Sequence, residues 1–138
     1  MSVSVIGEML VFDKIRILVG VDGSLQSRKA LIEAITLAKH FSGVIKAVTV
    51  YEKGGEKKAE AVINDVRKEL ENEGVKHDIS SVLSSNPAKA LANMAKQENL
   101  DLIVVGSRGL GGRVSIFLGS VSKEIVGDAY CDVLVVKR

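Results

Sequence analysis

From residue 106 to residue 122 the chain reads GSRGLGGRVSIFLGSVS, with Gly106, two residues, Gly109, nine residues, then Gly119-Ser120. Glycine has no Cβ, so its backbone N–H can approach an anion closely. Consecutive N–H groups in such turns form concave anion sites. Where a helix opens, as expected at Gly119-Ser120, the free N–H groups and the dipole favour phosphate. The hydroxyls of Ser120 and Ser122 can add hydrogen bonds. The dipole alone contributes about 0.3–1 kcal/mol, whereas micromolar binding needs about 8 kcal/mol. Hydrogen bonds to charged groups contribute roughly 1.5–3 kcal/mol each. A phosphate site of that strength therefore needs several converging donors, which a long glycine segment can supply. The same glycines would equally serve as plain turns.

A second polar turn, Gly20-Val21-Asp22-Gly23-Ser24, follows an earlier apolar run. Asp-Gly-Ser after a strand is ordinary turn and cap chemistry. The rival reading places the Asp22 carboxylate at a crevice, accepting hydrogen bonds from a ribose or a base amine. Arg108 and Arg113 flank the glycines, either as phosphate clamps or as solvated loop cations. Other phosphate signatures fail. Gly106-x4-Gly111 is followed by Gly112 and Arg113, not by the Lys-Ser/Thr of a Walker A loop, and Gly109-Leu110-Gly111 lacks the third glycine of a dinucleotide fingerprint.

These turns need a scaffold, and strand-like and helix-like patterns alternate from about residue 15 onward. Residues 15–21 (IRILVGV), 44–51 (VIKAVTVY), 75–83, 102–105 (LIVV) and 133–136 (VLVV) read as strands. The third is polar enough to be an edge strand; the fourth is apolar throughout and therefore central. Helices are predicted over residues 25–41, 56–73, 87 to about 99, and 120–129, from apolar stripes at helical spacing. Ser24 and Asn86 are N-caps, Pro87 stands at the first helical position, and Gly74 follows a helix end. Five strands alternating with four helices imply a parallel sheet with right-handed crossovers. In such a sheet ligands collect at the C-terminal strand edges, where strand order reverses. If the first and fourth strands are neighbours, both polar turns face one crevice. Residues 1–14 fall outside the alternation, as a loose arm or as an added strand through residues 2–6 or 9–12. Residues 15–138 form one domain.

Composition narrows the partners. The 138 residues carry 19 basic and 17 acidic side chains, a net charge of +2. That balance, with 4% aromatics and no clustered basic patch, argues against nucleic acid. Lys57-Lys58 and Lys137-Arg138 read as a solvated helix face and a solvated tail. The single cysteine, Cys131, permits no intramolecular disulfide and reads as a small core filler, so a reducing, cytoplasmic setting is the default. The N-terminus has no basic n-region, and no run approaches 18 apolar residues, so neither a signal peptide nor a membrane helix is expected.

At its motifs the chain resembles the universal stress protein family, over about residues 15–137. ILVGVDGS looks like that family's opening signature, and VVGSRGLGGRVSIFLGSVSKEIVGDAYCDVLVV like its closing half. Gly106, Gly109, Gly119 and Ser120 match the spacing G-x2-G-x9-G-[ST] of its ATP-binding members. The resemblance implies a three-layer α/β/α sandwich, adenine nucleotide alpha-hydrolase-like, with a five-stranded parallel sheet of order 3-2-1-4-5. It implies ATP or another adenine nucleotide as ligand, with Mg²⁺ on the phosphates. Carried over by residue, Val21 and Asp22 would meet the adenosine and Val50 the adenine. Val105 and Gly106 would lie along the nucleoside, Arg108 and Gly109 along the phosphate path. Gly119, Ser120, Val121 and Ser122 would hold the phosphates. Members usually form homodimers, often through the fifth strand, here from Val133 to Val136. The chain departs from the family in its longer N-terminal arm, in the short connection over residues 52–55, and in Gly20, where Pro or Ala is frequent.

The expected function is that of an ATP-binding, nucleotide-dependent regulatory or stress-response protein. A slow ATPase is the enzymatic alternative. No general base stands out near the glycines, and His40 and His77 are expected to face solvent, so hydrolysis is expected to be slow or absent. A nucleotide-free interaction module, its glycines serving only the fold, is the third.

Overall fold

The computed structural model describes residues 3–6, 9–12, 14–107 and 120–137, the first two stretches as backbone. β1 (Val3–Ile6) and β2 (Met9–Phe12) form an antiparallel two-stranded ladder in which Val3 faces Phe12 and Ile6 faces Met9. A separate five-stranded sheet follows: β3 (Arg16–Gly20), β4 (Val44–Tyr51), β5 (His77–Leu83), β6 (Leu102–Gly106) and β7 (Asp132–Val136). Its order is β5-β4-β3-β6-β7, all parallel. Counted within the sheet this is 3-2-1-4-5, as expected, and β3 lies beside β6 with Val19 opposite Val104.

Alternate residues of the central strands feed two apolar layers, because a parallel sheet is covered on both faces. Ile17, Val19, Ala47 and Val104 pack under α1 (Leu25–His40) and α2 (Glu56–Glu73). Leu18, Val48, Ile103 and Val105 pack under α3 (Pro87–Gln97) and α4 (Ser120–Asp128). The result is the three-layer sandwich.

Local chemistry sets the helix ends. Ser24 Oγ accepts from Ser27 N–H at 3.1 Å, and Asn86 Oδ1 accepts from Lys89 N–H at 3.1 Å, with Pro87 in the first turn. Gly74 ends α2 in the left-handed region, φ 67°. Most of the predicted elements shift at a boundary by one or two residues, as where β3 spans Arg16–Gly20 rather than 15–21, and two of the shifts have a visible cause. β5 begins at His77, because the Val75 N–H is drawn back to the Leu70 carbonyl (3.3 Å) to close the helix end. α1 stops at His40, with Phe41 as its cap. Cys131 is half-buried against the α3/α4 layer. Burial pushes its thiol above the usual range, as befits a core filler.

Candidate functional site

The turn after β3 is held by a closed set of short bonds. Val21 N–H donates to the Val48 carbonyl at 2.9 Å, carrying the strand alignment past Gly20. Asp22 Oδ1 accepts from Ser24 N–H at 2.9 Å, and Asp22 N–H donates to Ser27 Oγ at 3.2 Å. Ser27 in turn donates its hydroxyl proton to the Ser24 carbonyl at 3.1 Å. Gly23 takes φ +83°, the left-handed conformation that glycine adopts without strain. Asp22 is thus turn chemistry through Oδ1. Its Oδ2 makes no hydrogen bond among the described residues, and its side chain borders a cleft.

That cleft has a volume of about 530 Å³ and lies at the C-terminal edge of the sheet, within the usual size for a small-molecule site. Asp22, Gly23 and Ser24 form one wall, and residues 49–51 at the end of β4 form the floor. The opposite wall is the start of α2, where Gly55, Lys58 and Val62 line the space. Val50, expected near a base, is there; Val21 instead borders an adjoining groove between α1 and α2.

The second group gathers where β6 ends. Val105 is buried and pairs with Val135 of β7. A Cβ on Gly106 would lie 2.7 Å from the Gln26 carbonyl oxygen, so this glycine is required by the close approach of α1. Ser122, 2% exposed, donates its hydroxyl proton to the Gly106 carbonyl at 2.8 Å. That bond fastens the first turn of α4 to the end of β6, and Val121 packs beside it on the α3/α4 layer. Ser120 is the first residue of α4. Arg108, Gly109 and Gly119 lie outside the described residues.

The structure therefore brings Asp22 and Val50 together at the cleft, and Val105, Gly106, Val121 and Ser122 together at the end of β6. Because β3 and β6 are parallel neighbours, both groups stand at the same sheet edge. Sequence reasoning missed Ser24, Thr49, Lys58 and Val62 as cleft residues. Thr49 was detectable in principle as a polar residue at the C-terminal end of a buried strand. Lys58 was not, since only the packing of α2 on β4 turns it toward the site.

Both histidines lie at the opposite edge of the sheet. His40 is exposed in the last turn of α1. His77 is half-buried rather than solvent-facing, and its Nδ1–H donates to the Val75 carbonyl at 2.7 Å. Among the described residues no cluster of His, Cys, Asp or Glu could hold a metal ion, and no helix is long and apolar enough to cross a membrane.

A parallel 3-2-1-4-5 sheet with a cleft beside Asp-Gly-Ser and a helix fastened at the end of its fourth strand defines a recurrent class of α/β protein. The universal stress protein family model matches residues 15–137, and the chain belongs to that family. Universal stress protein MJ0531 of Methanocaldococcus jannaschii is 31% identical over 89% of this chain and 82% of its own length. Among solved structures, hypothetical protein MJ0577 superposes with a TM-score of 0.79 at 24% identity, covering 90% of this chain and 96% of that one. A universal stress protein in complex with cAMP superposes with a TM-score of 0.76 at 26% identity, covering 90% and 97%.

Proposed function

We propose that this chain is a nucleotide-dependent regulatory protein of the stress response, binding ATP at the C-terminal edge of its sheet. One observation carries this reading: the Asp22 cleft and the end of β6, where the glycine segment begins, occupy neighbouring strands of one edge. The 26%-identical relative solved with cAMP supports an adenine nucleotide as the ligand class.

On this reading Asp22 Oδ2 accepts from the ribose, while Val21 and Val50 offer apolar surface to the nucleoside. Val105 and Gly106 border its path. Arg108 and Gly109 follow that path, and Gly119, Ser120 and Val121 offer backbone donors to the phosphates. Ser122 serves by holding α4 in place, its proton being engaged by Gly106. Mg²⁺ would arrive with the phosphates. No step of turnover is assigned to these residues, and hydrolysis is slow or absent.

The protein acts in the cytoplasm as a homodimer. Among the described strands β7 pairs only with β6, leaving the edge from Val133 to Val136 open to a second copy.

Calorimetric titration with ATP and Mg²⁺ tests the binding. Micromolar affinity is expected in the wild type and its loss in Gly119→Val, whose side chain would occupy phosphate space while the circular dichroism spectrum stays unchanged. Equal affinity in the two proteins would count against the site. The absence of nucleotide both from denatured protein and on titration would favour an interaction module.

A further inference from the structure

The cleft continues away from Asp22 toward the start of α2, and that end has its own chemistry. The N-cap of this 18-residue helix is Gly55, which offers no side-chain oxygen to the free amides of the first turn. Those amides, from Glu56 to Lys58, carry the positive end of the helix dipole. Gly55 and Lys58 both line the cleft, and Lys58 makes no ion pair among the described residues. Independently, Thr49 on the floor of the same cleft is 3% exposed, yet its hydroxyl makes no hydrogen bond among the described residues. Its oxygen is not one of the enclosed unpartnered atoms, which among the described residues are Gln26 Oε1 and Ser80 Oγ, so it opens onto the cleft with its proton free to donate there. A helix start without a side-chain cap, an unpaired ammonium and an unpartnered hydroxyl converge on one volume. That is the donor set of an anion, and more specifically of a phosphoryl group.

Two carboxylates, Asp22 and Glu52, also line the space. A free anion would be repelled by them. A ribose with one hydroxyl free and its neighbour phosphorylated would satisfy both signs: the hydroxyl donates to a carboxylate, and the phosphoryl group meets Lys58, Thr49 and the α2 amides.

We propose that the α2 end of the cleft is a second phosphoryl subsite, which takes nucleotides phosphorylated on the ribose as well as at the 5′ position. The subsite rests on the nucleotide reading above. It lies apart from the glycine segment, on the other side of Asp22.

Calorimetric titration of the full chain with AMP, adenosine 2′,5′-bisphosphate and adenosine 3′,5′-bisphosphate tests it. In the wild type at least one bisphosphate is expected to bind about tenfold more tightly than AMP, and the preferred isomer identifies which ribose oxygen carries the phosphoryl group. In Thr49→Val and in Lys58→Gln the ratio of bisphosphate to AMP affinity should fall to near one; Lys58 is exposed, so that variant keeps the fold. Equal affinity for all three nucleotides in the wild type, or an advantage that survives both substitutions, overturns the subsite and leaves the nucleotide reading standing. Failure of all three to bind overturns both.

Discussion

Glycines 106 and 127 show how one residue type carries different physical duties. At Gly106 the missing side chain makes room for the main chain of α1, and any Cβ would sit against the Gln26 carbonyl oxygen. At Gly127, in α4, nothing lies within 4 Å of the same position. Gly106→Ala is therefore expected to cost about 1–3 kcal/mol by overpacking. Gly127→Ala is expected to be neutral or to stabilise by about 0.5–1 kcal/mol, as alanine does in a helix. Urea denaturation of both variants checks the contrast; a neutral Gly106→Ala would mean that α1 stands further from β6. The motif glycine at 106 is thus explained by packing before any ligand is considered. Asp22 shows the converse, since one carboxylate oxygen closes the turn and the other remains available at the cleft.

At the scale of elements, β4, β5 and α3 are joined by a small charged cluster. Lys46, with its side chain 15% exposed, lies 2.8 Å from Asp78 and 3.3 Å from Glu98. The hydrogen bond from Lys46 holds the Asp78 carboxyl below the usual carboxylate range, and the same bond raises the Lys46 ammonium. A lowered acid contributes stability above its unfolded value and loses it as pH falls through its folded value. The window is thus at and below pH 4. Asp78 is 69% exposed, so solvent screening limits the effect to about 0–1 kcal/mol. Melting temperature between pH 5 and pH 3 should fall less steeply in Lys46→Met than in the wild type. Parallel slopes would remove the cluster from the account. This cluster was not legible in the sequence, because Lys46 and Glu98 meet only through strand register and the end of α3. The elements themselves were legible wherever local signals were dense. α2 matches its expected bounds because its apolar stripe runs into the left-handed Gly74. The strand order followed from family resemblance, since alternation implies a parallel sheet without saying which strand lies beside which. The Asp22 side of the cleft was visible from turn chemistry; the α2 wall was not, because Ala59 and Val62 carry the same periodicity whether they cover a core or border an opening.

For the whole molecule, β7 pairs only with β6 among the described strands, and a second copy is expected along its other edge. An apolar strand with one unpaired side invites another strand, and a symmetric second copy supplies one. Light scattering is expected to give twice the chain mass for the wild type and the single mass for Val135→Lys, with the circular dichroism spectrum retained. A dimer that survives this substitution would place the interface elsewhere.

The sheet divides the interior into two layers, and the cleft opens on the α1/α2 side while α4 is pinned on the α3/α4 side. A molecule reaching from Asp22 to the first turn of α4 would lie like a staple over the rim, touching both halves of the core at once. Amide hydrogen exchange would then slow in α2 and α4 together, although the two helices share no face of the sheet, and occupancy would be felt on both broad surfaces of the molecule.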